Sequence, residues 1–536
     1  MTTPTPENRP PRSLALLAFS IIFIAILLLH APLLRLPFFW DEAGFYVPAA
    51  HDLVEFHSLT ARSTLDTGHP PLPAAWLALW FTLLGWKPIA ARIAMLLLSA
   101  FALTNVFLLA RRVANQAVAV ASTMATAIYP VFFAQSSLAH ADVAAAAFAL
   151  WGLRLGIERR LWMSQMAFSL AVLSKETIVI IPAALAVWEL LPPPLGEAAE
   201  GRVRRALIRL PPMVPLVCWL LYHHHVTGRY FGGEDFYKYN VTSAMSPVRF
   251  LLALGHRTWH LFGIMNMLVM TVATVAAMWF LPVSDNGVER RRIAIPTQIQ
   301  FACIMLAHLV AFSLVGGALL TRYLLAAYPL VIILGMSTLR RRIRLWQWPA
   351  AAVIGLFAVS LFFDPPYRFA PEDNLTYTDF VELHVNAANF LQQHEKGAAI
   401  LTAWPATDEL ARPYLGYVKA PMPTLAVENF TVEEIYKAQA MRNRYQVAYL
   451  FSTKYEQPTW FLSRWWESVQ RRYFDSHTDT DPETAADILG GRIVYLARKK
   501  AEWVAVVEIE GEKRSAKNQK KYLPLIYADK TGLSKE

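Results

Sequence analysis

Long apolar runs alternate with short polar connections along the first two thirds of the chain. A run of about twenty apolar residues can cross a bilayer as a helix, because an α-helix rises about 1.5 Å per residue. By that criterion the pattern predicts about eleven membrane spans. The predicted spans are Leu14–Leu34, Ile89–Ala110, Ala114–Ala134, Ala141–Ile157, Leu161–Ser174, Thr177–Leu191, Leu210–His223, Thr258–Leu281, Thr297–Val315, Tyr323–Leu339 and Trp346–Phe363.

After Phe363 the pattern becomes that of a soluble domain, beginning with the turn-rich sequence Asp364-Pro365-Pro366-Tyr367. Strands are predicted at Ala398–Thr402, Gln446–Phe451, Arg492–Ala497 and Trp503–Ile509, and helices at Thr407–Leu415 and Val432–Met441. This alternation predicts a layered α/β domain. The sequence therefore divides into a transmembrane domain at 1–363, a soluble α/β domain at 364–510 and a Lys-rich, flexible tail at 511–536.

Composition supports a membrane protein with many spans. Of the 536 residues 55% are hydrophobic and 12% aromatic, and the mean hydropathy is +0.32. The formal net charge of +10 does not indicate nucleic-acid binding, because the basic residues lie in short clusters between apolar runs. Cys218 and Cys303 both lie inside apolar runs, which argues against a thiol enzyme or a Cys-ligated metal.

The basic clusters predict the orientation of the chain. Clusters occur in every second connection, where the positive-inside rule places them in the cytoplasm: Arg9/Arg12, Arg111/Arg112, Arg159/Arg160, Arg202/Arg204/Arg205, Arg290/Arg291/Arg292 and Arg340/Arg341/Arg342/Arg344. Leu14–Leu34 is therefore interpreted as an uncleaved signal anchor with a cytoplasmic N-terminus. We expect a multi-pass protein of the inner (plasma) membrane whose C-terminal domain is periplasmic. Ala74–Trp86, on the same outer side, is too short to span and predicts an interfacial helix.

Two adjacent carboxylates, Asp41 and Glu42, follow the first span on the predicted outer side. Crossing a bilayer does not require them, so they are candidates for chemistry. Neighbouring residues on a helix point about 100° apart, so one could act as a base while the other orients or caps. The alternative is that Asp41 is the N-cap of an interfacial helix that runs through Phe45 and Tyr46.

A third acid, Asp142, lies in the first turn of the fourth predicted span, on the same side as Asp41. That placement would allow a carboxylate pair across the mouth of the bundle, since acids within spans are rare without a function. The structural alternative is an acid that the helix dipole stabilises, close to His140. His69, in the stiff turn Gly68-His69-Pro70-Pro71, could contact a phosphate or a sugar, or be a loop histidine without a task.

Two cations, Lys175 and Arg322, lie at the same predicted depth. Both suit a phosphate group, and the guanidinium can bind it through two hydrogen bonds. The alternatives are snorkelling to lipid phosphates and, for Lys175, a simple pair with Glu176. The tract His223-His224-His225 cannot direct three ligands at one ion, so no metal-binding residues are assigned; the outer carboxylates leave a divalent cation open as a cofactor.

In their order along the chain, these residues resemble the GT-C membrane glycosyltransferases, in the bacterial family-39-like branch related to protein O-mannosyltransferases and lipid A aminoarabinose transferase. The matching motifs are Trp40-Asp41-Glu42 with Tyr46, His69-Pro70-Pro71-Leu72, His140-Ala141-Asp142, Ser174-Lys175-Glu176-Thr177 and Arg322-Tyr323-Leu324-Leu325 with Tyr328-Pro329. The fold that the resemblance implies is mainly α: a polytopic GT-C helix bundle followed by a soluble α/β domain. One departure is Ala326, where the family pattern has a proline, which loosens the expected helix start after Arg322.

The resemblance implies transfer of a sugar from a polyprenyl-phosphate carrier to an acceptor hydroxyl at the non-cytoplasmic face, with inversion at the anomeric carbon. Asp41 would be the general base, supported by Glu42 and Asp142. The donor phosphate would be bound by the remaining site residues, Arg322, Lys175, His69 and Tyr323. The partners are this lipid-linked donor, membrane lipid and a lipid, glycan or protein acceptor, with no nucleic acid.

The competing hypothesis is a transporter or flippase of a lipid-linked or anionic substrate, with Asp142 as a proton relay. Against it, the spans show no internal repeat, and the acids and cations collect at one face. A third hypothesis, a scaffold whose function lies in the soluble domain, leaves Asp41, Asp142 and Arg322 unexplained.

Overall fold

The computed structural model describes residues 12–192, 201–234, 246–315, 317–455, 463–474, 476–509 and 525–527. The chain divides into two compact units. One consists of Met1–Leu34, Ala49–Trp80 and Ala91–Phe363, and the other of Arg35–Pro48, Phe81–Ala90 and Asp364–Glu536. The division at Phe363 is the position where the hydropathy pattern changes. The grouping of 35–48 and 81–90 with the C-terminal residues is not indicated by the sequence, and the assignment of 1–363, 364–510 and 511–536 as separate domains stays a prediction.

Helices dominate the chain before residue 364. Among the described residues the α-helices there are α1 (Arg12–Leu29), α2 (Val47–Phe56), α3 (Leu72–Leu84), α4 (Pro88–Val113), α5 (Gln116–Ile128), α6 (Pro130–Gln135), α7 (Ala141–Ile157), α8 (Leu161–Ser174), α9 (Ile180–Leu190), α10 (Arg202–Ile208), α11 (Met213–Thr227), α12 (Pro247–Phe262), α13 (Met267–Ala277), α14 (Ile295–Val315), α15 (Tyr328–Arg342) and α16 (Gln347–Ser360). A short hairpin, β1 (Ser284–Asp285) with β2 (Val288–Glu289), precedes α14. The predicted mainly α character is confirmed.

Two of the predicted spans are broken helices, which corrects the sequence interpretation. The run Ala114–Ala134 is divided between α5 and α6, because Pro130 cannot continue the hydrogen-bond ladder of α5. The run Thr258–Leu281 is divided between α12 and α13, which are bent by 80° at a break where Asn266 has a φ of 63°. Hydropathy alone cannot detect such breaks, since the residues on both sides remain apolar.

Helix length limits how many described helices can cross a membrane singly. By length and composition α4 and α14 qualify, and counting each bent pair, α10 with α11 and α12 with α13, as one span raises the number to four. Several other predicted runs form apolar helices of 10–17 residues. The number of about eleven spans therefore stays a prediction.

The helices α7 and α8 of the first unit pack against each other as an antiparallel pair. α7 is rich in alanine and is buried along almost its whole length. Small side chains allow close approach: a Cβ on Gly152 of α7 would lie 2.9 Å from the ring of Phe168 on α8. Close helix packing of this kind is what small residues permit in membrane proteins. The short connection Glu158–Arg160 thus joins two helices that are held in a defined register.

The C-terminal residues form the predicted α/β layer structure. The strands β3 (Ile400–Ala403), β4 (Thr424–Val427), β5 (Val447–Phe451), β6 (Gly491–Lys499), β7 (Glu502–Ile509) and β8 (Leu525–Tyr527) form one six-stranded sheet in the order β4-β3-β5-β7-β6-β8. The helices are α17 (Tyr377–His394), α18 (Ala406–Ala411), α19 (Val432–Ala440), α20 (Ser463–Tyr473) and α21 (Pro482–Leu489).

The sheet is mixed. β3 pairs in parallel with β4 and β5, whereas β7 is antiparallel to both β5 and β6. The predicted strands Arg492–Ala497 and Trp503–Ile509 correspond to β6 and β7, which form an antiparallel hairpin. β8, which lies within the predicted flexible tail, pairs in parallel with β6, a contact that the sequence does not indicate. β4, α17, α20 and α21 were also outside the prediction.

A polar cluster ties the beginning of this sheet domain to its later segments. The carboxylate of Asp364 accepts hydrogen bonds from Asn374, Thr376 and Tyr455, and Lys500 Nζ lies 3.3 Å away. Burial opposes ionisation of Asp364, but these hydrogen bonds and the lysine outweigh it and lower the pKa of the carboxyl group. Asp364 is therefore a charged anchor where the soluble sequence begins.

Candidate active site

The register of α7 and α8 brings two predicted site residues together. Asp142 is in the first turn of α7, and Lys175 follows the last residue of α8. The helices are antiparallel and contain 17 and 14 residues, so the start of one lies beside the end of the other. Lys175 Nζ donates a hydrogen bond to Asp142 Oδ1 at 2.6 Å. Neither side chain is more than 6% exposed, which makes this a buried ion pair.

Arg322 lies on the other side of the same carboxylate. Its Nε is 3.5 Å from Asp142 Oδ2, in an ionic contact that is too long for a good hydrogen bond. Arg322 is only 4% exposed. One carboxylate thus lies between two buried cations, and the three side chains together carry a net charge of +1. Charge buried in this way is costly unless a counter-ion or hydrogen-bond acceptors compensate it.

The backbone around Arg322 differs from the expectation. Arg322 was predicted to open a span at Tyr323, but it lies in a 3₁₀ turn, Thr321–Leu324, and α15 begins only at Tyr328 with Pro329 in its first turn. Proline is favoured at that position because its missing N–H has no partner there anyway. The phenol of Tyr328 donates to the carbonyl of Thr321 at 3.2 Å, which holds the turn against the helix start.

Arg257, which the sequence analysis did not single out, holds the segment before this turn. Its Nη1 donates to the carbonyl of Leu320 at 2.6 Å and its Nη2 to that of Ala318 at 2.9 Å. Arg257 is completely buried and packs over the ring of Tyr323, with 5.4 Å between its Cζ and the ring centroid. A buried arginine at a helix-forming position gives a sequence signal, but the carbonyls that it binds cannot be read from the pattern.

Tyr323 is the common neighbour of two cations. Lys175 Nζ lies 4.1 Å from the centroid of its ring, and Arg257 lies on the same ring at the distance given above. Cation–π contacts of this kind are attractive and orient the cation. The ring is itself stacked on Phe312, at 5.3 Å between centroids. Tyr323 therefore positions Lys175, and its predicted phosphate contact stays a prediction.

His140 borders the cluster. Its Nδ1 lies 2.7 Å from Gln135 Oε1 and 3.3 Å from Arg322 Nη1. With a proton on Nδ1 the ring donates to the glutamine.

The two alternatives for Asp142, an acid that the helix dipole stabilises and an acid with a function, do not exclude each other. Its carboxylate lies at the N-terminus of α7 and also contacts two cations.

His69 has an acidic partner. Its Nδ1 is 2.9 Å from Glu176 Oε2, and both side chains are partly exposed. The proposed pairing of Lys175 with Glu176 is therefore wrong: the short ion pair of Lys175 is with Asp142, and Glu176 pairs with His69. Although Lys175 and Glu176 are adjacent in sequence, their side chains therefore have different ion-pair partners.

Asp41 and Glu42 lie in the second unit, at the beginning of a π-helical turn, Glu42–Tyr46, that leads into α2. Asp41 has helical backbone angles and its side chain does not cap the turn, so the N-cap alternative is wrong. Glu42 is completely buried, and its Oε2 accepts a hydrogen bond from the N–H of Phe39 at 2.8 Å. Glu42 therefore has a structural role in closing the turn.

The backbone at this turn is strained. Trp40 has a φ of 41°, in the left-handed region that a bulky residue rarely adopts. Its ring packs edge-on against Phe380 and Trp404, each at 5.4 Å between centroids. Non-glycine left-handed residues and π-helical turns are both concentrated at functional sites, which agrees with a role for Asp41.

The histidine tract does not form a ligand set. His223 is buried and bonds Asp66 at 2.9 Å through Nε2, whereas His224 stacks on Tyr230. Within the described ranges, no three His, Cys, Asp or Glu side chains lie close enough together to hold a metal ion. The open expectation of a divalent cation receives no support from residue geometry.

Comparisons with known proteins show what the sequence and the fold are similar to. Residues 68–223 match the family described as dolichyl-phosphate-mannose-protein mannosyltransferase, and this range contains His69, Asp142 and Lys175. The crystal structure of ArnT from Cupriavidus metallidurans in the apo state has a TM-score of 0.56 at 14% identity, covering 92% of this chain and 98% of that chain. The resemblance to the GT-C membrane glycosyltransferases is confirmed.

A second ArnT structure, bound to undecaprenyl phosphate, has a TM-score of 0.51 at 16% identity and covers 93% of this chain and 98% of that chain. No curated protein matches the sequence significantly. The chain is thus a multi-pass membrane protein with the GT-C fold, followed by an α/β sheet domain. The direction of its termini across the membrane stays a prediction.

Replacing Asp142 by Asn tests the buried cluster. Removing one partner of a buried ion pair typically costs about 3–5 kcal/mol, since the other charge is left buried. We therefore expect Asp142→Asn to lower the thermal unfolding midpoint of the full chain in detergent, measured by tryptophan fluorescence. Asp285→Asn, which removes the exposed acidic partner of Arg290, is the control and should lower the midpoint much less.

Adding Lys175→Met to Asp142→Asn should recover part of the lost stability, because the unpaired ammonium is removed as well. Costs that simply add in the double variant would contradict the proposed coupling between the two residues.

Gly44→Ala tests the strained turn beside Asp41. A Cβ on Gly44 would lie 2.2 Å from Trp404 Nε1, so the indole or the turn must shift. Overpacking of this kind costs about 1–3 kcal/mol, and we expect a matching fall in the unfolding midpoint. Gly355→Ala, where no atom lies within 4 Å of the new Cβ, should leave the midpoint unchanged or raise it slightly. Equal midpoints for both variants would show that the turn is not held by Trp404.

Proposed function

We propose that the protein transfers a sugar from a polyprenyl-phosphate carrier to an acceptor hydroxyl at the non-cytoplasmic membrane face, with inversion at the anomeric carbon. The observation that carries this proposal is the buried cluster in which Asp142 contacts both Lys175 and Arg322. Its net positive charge, in a fold shared with ArnT, suits the phosphate of a lipid-linked donor.

The charges of the cluster suit the reversible binding of an anion. Asp142 fixes the position of both cations but neutralises only one of them, so a phosphate oxygen supplies the missing negative charge. A cluster with two carboxylates would be neutral and would attract an anion less strongly. Asp142 is in this proposal a positioning residue, and Lys175 and Arg322 are the groups that touch the donor phosphate.

The chemistry follows from the leaving group. The acceptor oxygen attacks the anomeric carbon and forms the new glycosidic bond, while the bond from that carbon to the phosphate oxygen breaks. The phosphate leaves with the electron pair, and nearby cations stabilise its charge without a strong general acid. The remaining requirement is a base for the acceptor proton.

Asp41 is the base in this proposal. It is supported by its motif Trp40-Asp41-Glu42, by its partly exposed carboxylate and by the strained turn in which it lies. Glu42 supports the turn through Phe39. His69, paired with Glu176, and Tyr323, packed on Lys175, complete the proposed donor-binding residues.

The comparisons support the class of donor. One ArnT structure is bound to undecaprenyl phosphate, and the matching family is described as dolichyl-phosphate-mannose-protein mannosyltransferase. Both are polyprenyl phosphates. In this proposal the donor is a hexosyl or pentosyl polyprenyl phosphate, and the acceptor is a hydroxyl of a lipid, a glycan or a protein.

Asp41→Asn tests the base. Asparagine keeps the shape of the side chain but cannot accept a proton, so transfer from a radiolabelled polyprenyl-phosphate sugar should fall about 10²- to 10⁴-fold. Membrane insertion and binding of the lipid donor should be unchanged. The rate is measured with purified protein in liposomes.

Glu55→Gln is the matched control, because Glu55 is an exposed acid on α2, in the segment after Asp41. It should transfer at the wild-type rate. Full activity of Asp41→Asn would eliminate Asp41 as the base while leaving the donor-binding cluster in place.

A further inference from the structure

A second charged region lies at the other end of the α7–α8 pair. A cavity of about 620 Å³ there is lined by the ends of several helices. Its lining includes six arginines, Arg111, Arg112, Arg159, Arg209, Arg291 and Arg292. They come from four separate parts of the sequence. The fold therefore gathers basic residues that hydropathy alone would only assign to one side of a membrane.

This cavity is separate from the Asp142 cluster. Gly156, near the end of α7, lines the cavity, whereas Asp142 is in the first turn of the same helix. Fourteen residues of α-helix separate them, which corresponds to about 21 Å. A ligand of ordinary size cannot contact both places. The cavity is thus not part of the proposed donor site.

The lining is short of negative charge. Glu158 contributes the one carboxylate among the lining residues. It is already engaged by Arg154 at 2.8 Å and by Arg160 at 3.8 Å, neither of which lines the cavity. Arg209 has a partner in Glu189, at 2.7 Å from Nη2. The lining thus contains six guanidinium groups and one carboxylate.

Some buried hydrogen-bond donors in the lining have no acceptor among the described residues. Arg209 is 4% exposed and Trp188 is 3% exposed, and each has a buried nitrogen, Nη1 and Nε1 respectively, with no acceptor among the described residues. The buried Nη1 of Arg111 is in the same situation. All three atoms are donors and line one cavity. Buried donors without acceptors are rare, and a group of three indicates an acceptor-rich ligand.

The positive-inside rule explains why arginines occur at this end of the helices, but it does not require a cavity or unsatisfied buried donors. Arginine binds phosphate oxygens through two parallel hydrogen bonds, and a phosphate supplies several acceptors together with negative charge. A phosphate group therefore supplies both the hydrogen-bond acceptors and the negative charge that the lining lacks.

We propose that this cavity, which we call the arginine cavity, binds a phosphate-bearing ligand on the face opposite the Asp142 cluster. The phosphate belongs either to the head group of an anionic phospholipid or to a soluble phosphorylated compound. The volume accommodates a group of the size of a diphosphate or a glycerol phosphate head group. By the orientation predicted from the basic clusters, this face is cytoplasmic.

Binding to the purified, delipidated full chain tests the proposal. Native mass spectrometry measures retention of phosphatidylglycerol against phosphatidylcholine, and isothermal titration calorimetry in phosphate-free buffer measures binding of pyrophosphate. The test variant is Arg291→Gln/Arg292→Gln, because both side chains are exposed and their replacement does not disturb the core. The control is Arg204→Gln/Arg344→Gln, which removes two exposed arginines outside the lining.

We expect at least one probe to bind to the wild type and to the control, and to bind at least tenfold more weakly to the test variant. Selective retention of phosphatidylglycerol identifies a lipid head group, and binding of pyrophosphate alone identifies a soluble ligand. Failure of both probes to bind, or equal loss in the test and control variants, would overturn the proposal. The transfer reaction proposed above is not tested by either outcome.

Discussion

The ion contacts of Asp142 with Lys175 and Arg322 are the interaction on which the rest of the site depends. Three charges are almost completely buried there, and their separation in sequence is large. Each is stable only because the others are close, so α7, α8 and the turn before α15 have to keep their register. The same contacts leave one positive charge over, and this excess is the physical basis for binding an anionic donor.

Neighbouring parts of the fold secure this geometry without touching the carboxylate. Alanines and Gly152 let α7 and α8 pack closely, so that Lys175 arrives beside the first turn of α7. Arg257 binds two carbonyls of the segment before Arg322, and the ring of Tyr323 makes a cation–π contact with Lys175. At the far end of the helices, the lining of the arginine cavity contains six arginines and one carboxylate, that of Glu158.

The sequence predicted the class of fold and the identity of the charged residues, because both depend on local patterns. Apolar runs gave a helical membrane protein, and the rarity of acids and cations at span ends singled out Asp142, Lys175 and Arg322. The pattern did not predict that Lys175 pairs with Asp142 rather than with Glu176, because the pairing depends on the register of two helices. Arg257 was missed because its partners are backbone carbonyls, and the break between α12 and α13 because apolar residues continue through it.

The most direct test of the account is the affinity of the full chain for undecaprenyl phosphate. If the excess charge of the cluster binds the donor phosphate, Arg322→Gln should raise the Kd at least tenfold, since one charge-assisted contact contributes about 1.5–3 kcal/mol. Arg62→Gln, which removes an exposed arginine elsewhere in the same unit, should leave the Kd unchanged. An unchanged Kd for a folded Arg322→Gln protein would contradict the assignment of this cluster as the donor phosphate site.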